Sequence, residues 1–223
     1  MVLEWLAHCK LATAQQIQQK AGMPSKFAVY QRMKQLQDAG YVAHMWVLRG
    51  EPGVYVATRQ ALRTLGLPLP PASIDLRMYR RDVLVVDLAL RYGEEGWEVY
   101  FERTLRYWKR QEEGTCYGIP LEGSSQPHYP ALLLFRPGSC DPERAVEVHL
   151  ANPGHPRRRR LLAAYADAPY DLDYWVPSRT ARAVQEDVEA LGLSHKVTVR
   201  TVEDVLGSEV PVLSYRPAVA LRG

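Results

Sequence analysis

Three groups of residues in this 223-residue chain have types and spacings that could do chemistry. On a helix turning 100° per residue, with Val29, Met33 and Leu36 facing inward, Phe27, Gln31, Lys34 and Gln35 point away from the core. Lys26 and Tyr30 lie on one flank of that outward face and Arg32 on the other. Glutamine amides can read adenine edges, lysine can meet guanine or phosphate, and an exposed aromatic ring can touch a thymine methyl. Glu147 and His149 form the second group, placed on one face by the alternation of RAVEVHL. An imidazole has a reference pKa near neutrality and can serve as a general base. The third group is Arg157–Arg160, four guanidiniums at the start of a helix. Cations there oppose the macrodipole, while the free N–H groups attract anions. Either a phosphate backbone or acidic partner sits opposite them, or they lie over apolar surface and pair with Asp167, Asp171 and Asp173.

The elements that must hold the first group are legible. Residues 2–9 carry Leu3 and Leu6 at helical spacing. Thr13-Ala14-Gln15-Gln16 is a capping box opening a short helix with Ala14, Ile17 and Ala21 inward. Gly22-Met23-Pro24 is a turn, and Ser25 caps the next helix. Gly40 stands where a left-handed residue ends it. Two β-rich runs follow, 41–48 and 54–58, split by the turn cluster Arg49-Gly50-Glu51-Pro52-Gly53. Three short helices and a hairpin in this order predict a winged helix-turn-helix, with Arg49 at the wing. The outward Phe27 either contacts double-stranded DNA or packs under the wing, and the same module can instead dock proteins.

Charge favours DNA. Residues 1–67 hold eight Lys/Arg against three Asp/Glu, a net +5, and the remainder is −2, within a whole-chain +3. Phosphate contacts and counterion release would use that field. The start MVLEWLAHCK lacks a basic n-region, and no apolar run approaches the roughly 20 residues of a membrane span. Cys9, Cys116 and Cys140 form neither a disulfide framework nor a paired metal motif. The expectation is a cytoplasmic protein with reduced thiols and no membrane partner.

A short helix over 60–65 precedes Leu67-Pro68-Leu69-Pro70-Pro71, where proline forbids helix. This divides the chain into a DNA-binding domain, 1–67, and a second domain, 72–223. In the latter the patterning predicts a helix over 75–92 and a strand over 97–105 carrying Glu102. A polar loop over 106–127 and an apolar strand over 128–135 come next, then a strand over 144–150. A helix over 157–166, a strand over 174–177, a helix over 180–191 and a strand over 196–202 complete it. The class is α/β (α+β overall), with a mixed sheet covered by helices.

Both halves together resemble the replication-relaxation family of plasmid and conjugative-element proteins, over about residues 1–205. The resemblance rests on LQDAGYV, the TxxALRxLG helix, Glu102-Arg103, YPALLL, Glu147-x-His149, RRRRLLAAYA and YWVPS. It implies a winged helix joined to a restriction-endonuclease-like domain. Where active, that fold sets a Pro-Asp on one strand and Asp/Glu-x-Lys on the next, with an upstream Glu, to hold Mg²⁺ on a scissile phosphate. Here Glu102 and Glu147 match carboxylates, but Ala131 occupies the Asp position and His149 the Lys position. The resemblance therefore implies a catalytically dead nuclease fold, with no metal or cofactor. The alternative is a site rebuilt from Glu102, Glu147 and His149, with His128, around Mn²⁺ or a softer ion. The expected protein is a non-enzymatic DNA-binding protein of a mobile element, plasmid or phage. It would act as a regulator or an accessory factor in replication or DNA processing, using Lys26, Phe27, Tyr30, Gln31, Lys34, Gln35, Arg49, Arg157 and Arg158. Other proteins of a DNA-processing complex and a second copy of the chain are further expected partners.

Overall fold

A computed structural model describes residues 2–111, 117–151 and 154–206, so Cys116 and part of the expected 106–127 loop lie outside the described residues. The first 64 residues form α1 (Val2–Cys9), β1 (Ala12–Thr13), α2 (Ala14–Ala21), α3 (Lys26–Asp38), β2 (Val42–Met45), β3 (Val54–Ala57) and α4 (Arg59–Thr64). Thr13 and Gln16 exchange both bonds of the capping box, and Ser25 accepts from the Ala28 N–H. Helix α3 closes on Gly40 at φ 77°, with Gly40 N–H bonded to Gln37 and Tyr41 N–H to Leu36. That double closure is a Schellman motif, and a side chain at this φ would be strained. Strand β1, which patterning does not reveal, pairs antiparallel with β3, giving the order β1-β3-β2.

The rest holds α5 (Tyr79–Glu94), β4 (Glu98–Phe101), α6 (Glu102–Gln111), β5 (Leu132–Phe135), β6 (Pro142–Val148), α7 (His155–Ala166), β7 (Asp171–Val176), α8 (Ser178–Ala190), β8 (Val197–Thr201) and α9 (Glu203–Leu206). The five strands run β4-β5-β6-β7-β8, antiparallel from β4 to β6 and parallel from β6 to β8. The parallel steps are crossed by α7 and α8, as parallel neighbours require. Leu132, Leu134, Val146, Val148 and Trp175 face α5, while Leu133, Phe135, Ala145 and Tyr174 face the α7 and α8 side.

Residues 106–111, expected as the start of a loop, are instead the rest of helix α6, and two further expectations need correction. Glu102 is not in a strand: β4 ends at Phe101, and Glu102 opens α6. Leu105 and Trp108 recur at i and i+3, so a helix buries Leu105 and packs Trp108 on one side where a strand would split them. Helix α5 also begins four residues later than expected, after a bend in which Asp75 accepts from the Arg77 N–H.

Helix α5 joins the two parts. It is buried on nearly all sides, and Leu84, Val85 and Leu88 share one apolar cluster with Leu6, Ile17, Val29 and Met33. Gln16 Nε2 donates to Val83 O at 2.9 Å and to Asp87 Oδ1 at 2.7 Å. Lys10 pairs with Asp82 at 2.6 Å, and the Tyr79 hydroxyl donates to Pro52 O at 2.8 Å. Among the described residues, no helix is long and apolar enough to cross a membrane.

Candidate functional site

Helix α3 turns its polar and aromatic side outward. Val29 and Met33 are fully buried, whereas Lys26, Phe27, Tyr30, Gln31, Arg32, Lys34 and Gln35 are all exposed. Phe27 does not pack under the hairpin: 68% of it is accessible. Phe27, Tyr30, Gln31 and Lys34 fall at i, i+3, i+4 and i+7, one continuous stripe. The lysine is partly engaged, pairing with Asp38 at 2.5 Å on the solvated surface, an interaction of small net value.

The hairpin carries exposed side chains of its own. Arg49 is exposed in its turn, and so is Trp46, with 75% of its surface accessible. His44 lies edge-on to Trp46 at 5.3 Å and against Tyr55 at 4.6 Å. The Tyr55 hydroxyl has a raised pKa, first from burial and then from the charge of Tyr30. Gly53 permits the arrangement, since a Cβ there would come within 2.4 Å of His44 Nε2. Trp46 is the residue that sequence reading missed. A tryptophan just before a Gly/Pro turn has no core to enter, and that signal was available.

A second site is built inside the five-stranded sheet. Glu147, near the end of β6, is 1% exposed. Its Oε1 accepts from the Tyr165 hydroxyl of α7 at 2.7 Å and lies 2.5 Å from His128 Nε2. His149 Nε2 stands 3.7 Å from the other oxygen, its ring stacked on Tyr174. Burial alone would raise the Glu147 pKa, but the hydrogen bond and charge of His128, then the charge of His149, outweigh it and hold the carboxyl below its ordinary value. Burial likewise pulls His128 down, yet Glu147 wins and the imidazole ends above its ordinary value. His149 has no such hydrogen bond and ends below, chiefly through burial.

His128, Glu147 and His149 are thus brought together, and Glu102 is not part of their hydrogen-bonded set. It bonds Arg106 at 2.9 Å and lies 3.8 Å from Arg81, acting on His128 only through its charge. Ala131, at the position where an active nuclease fold has its Asp, is buried and brings no ligand. Among the described residues, no group of three or more His, Cys, Asp or Glu is placed to hold a metal ion.

The arginine run divides. Arg158 is 4% exposed and its Nε donates to Asp187 of α8 at 2.6 Å, so it is withdrawn from any phosphate and leaves the expected DNA-binding set. Asp187 also receives His155 at 2.9 Å and lies 4.0 Å from Arg159. Asp167 and Asp171 are not the partners; Asp173 is held by Arg144 and Arg200 instead. Arg157 and Arg160 remain exposed.

Comparison with protein-family models, curated proteins and solved structures finds no match for this chain.

Proposed function

We propose that the first 67 residues are a winged helix-turn-helix that binds double-stranded DNA, with α3 in the major groove and the β2–β3 hairpin as the wing. The observation that carries this is the uncovered stripe Phe27, Tyr30, Gln31 and Lys34, with Trp46 and Arg49 of the hairpin also exposed. Large aromatic side chains left open on a small helix lose apolar burial unless a partner covers them. Interleaved with amide and ammonium groups in a region of net charge +5, they suit base edges and phosphates.

The α/β remainder serves as a restriction-endonuclease-like scaffold without catalysis. This reading is supported by Ala131 and by the engagement of Glu147 Oε1 with Tyr165 and His128. With the resemblance to the replication-relaxation family, it makes the chain a non-enzymatic DNA-binding protein of a mobile element, a regulator or an accessory of DNA replication or processing.

Fluorescence anisotropy with random and genomic-neighbourhood duplexes, across a salt series, tests it. Binding should weaken steeply with salt and be lost in the Lys26→Ala/Gln31→Ala/Lys34→Ala triple variant, with the DNA intact in Mg²⁺ or Mn²⁺. Absence of binding at any salt would refute DNA recognition, and cleavage that disappears in Glu147→Ala would refute the inactive scaffold.

A further inference from the structure

A cleft of about 510 Å³ lies where the two parts of the chain meet, a size and place typical of small-molecule sites. Its walls come from the end of α1, the 70–73 segment, the first turns of α5, and the β4–α6 junction. Val85, Phe101 and Tyr107 supply apolar surface. The polar part is asymmetric. Each carboxylate in the lining already has a cation: Asp82 has Lys10 at 2.6 Å, Glu102 has Arg106 at 2.8 Å, and Asp75 has Arg77 at 3.3 Å.

Arg103 is the exception. Among the described residues no carboxylate lies within ion-pair distance of it. Its Nη2 donates to the Pro70 carbonyl, while its Nη1 is enclosed without a hydrogen-bond partner. An enclosed guanidinium nitrogen with an empty donor position is costly unless something fills it. Burial accordingly pulls its pKa below the ordinary arginine value. Lys10, on the same lining, is the one non-glycine residue at positive φ among those described, at 74°, and such backbone strain gathers at binding sites.

We propose that this cleft binds a small organic monoanion, its carboxylate on Arg103 and its apolar body along Val85, Phe101 and Tyr107. A single unpaired cation matches a single negative charge, which favours a carboxylate over a phosphate ester carrying nearly two. The site is independent of the DNA-binding surface, and its test does not use DNA.

Isothermal titration of the full chain with 1-naphthoate, 1-naphthamide and 1-naphthyl phosphate tests the assignment. Naphthoate should bind one site saturably, and the neutral amide and the phosphate about ten-fold or more weakly. Arg103→Gln should weaken naphthoate by about ten-fold and leave the amide unchanged. Ser73→Trp, an exposed lining position, should abolish binding by filling the mouth while the circular dichroism spectrum stays native. If Arg103→Gln fails to fold, the acid–amide difference and Ser73→Trp decide the matter. No saturable binding of naphthoate would overturn the proposal, as would binding indifferent to Ser73→Trp, equal affinity for the amide, or tighter binding of the phosphate.

Discussion

His128 Nε2 lies 2.5 Å from Oε1 of Glu147, joining an irregular approach to β5 with a carboxylate that β6 buries in the sheet. The neighbouring His149 approaches the same carboxylate without a hydrogen bond, so the two imidazoles are pushed in opposite directions from 6.5. Titration followed by the ring-proton NMR signals should give a midpoint above 6.5 for His128 and below it for His149. Two midpoints on the same side would contradict this geometry.

Stability should follow from those directions. The raised His128 contributes fully below pH 6.5, and its contribution is lost as pH rises through its folded value. The lowered Glu147 contributes above the ordinary 4.5 and loses that contribution as pH falls through its folded value. His149, also lowered, contributes above 6.5 and opposes His128. Denaturant titrations should therefore show His128→Gln costing more stability at pH 6 than at pH 9. An equal cost at both would show that the pair carries no net charge interaction.

Arg158 and Arg157 are adjacent in sequence and should behave as opposites. Arg158→Ala leaves Asp187 buried beside weaker partners and should cost about 3–5 kcal/mol of unfolding free energy. Arg157→Ala, on the surface, should stay within about 0.5 kcal/mol. Chemical denaturation distinguishes them directly, and similar costs would mean that Arg158 is not held as described.

Removing Phe27 or Trp46 separates binding from folding. Each ring is mostly in solvent, so Phe27→Ala and Trp46→Ala should change stability by about 0.5 kcal/mol or less. Duplex affinity should drop on the order of ten-fold for each. Unchanged affinity in both would move the contact surface away from this stripe.

The thiols offer a check on burial. Cys9 is enclosed, its pKa pushed far up by that burial, whereas Cys140 is exposed. Alkylation of the native protein followed by peptide mapping should modify Cys140 and spare Cys9 until denaturant is added. Early modification of Cys9 would show that the α1–β1 junction opens.

Local rules carried the sequence reading as far as local rules reach. Thr13, Ser25 and Gly40 cap or close their helices within five residues of themselves, as does Gln16 through its Oε1, and each does in the structure what its position implies. The Gln16 amide N–H reaches 67 and 71 residues away, which no local rule announces. The place of Glu102 is ambiguous in the sequence because WEVYFERTL satisfies a strand up to Phe101, and the helical recurrence of Leu105 and Trp108 begins only beyond it. The burial of Arg158 is not legible in the sequence for another reason. Its partner Asp187 lies 29 residues away on another helix, and no periodicity within either segment announces the pair. Lys10 and Asp82 are another such pair, 72 residues apart.

The shared core around α5 also bears on synthesis. Ile17, Val29 and Met33 are closed over by Leu84, Val85 and Leu88, residues the ribosome adds later. Gln16 likewise waits for Val83 and Asp87. A nascent chain ending near residue 67 would carry its complete hairpin and helices with an unsealed apolar side, a state prone to association. Helix α3 would therefore become fully supported only once α5 has emerged, tying the order of translation to the order in which the core is sealed.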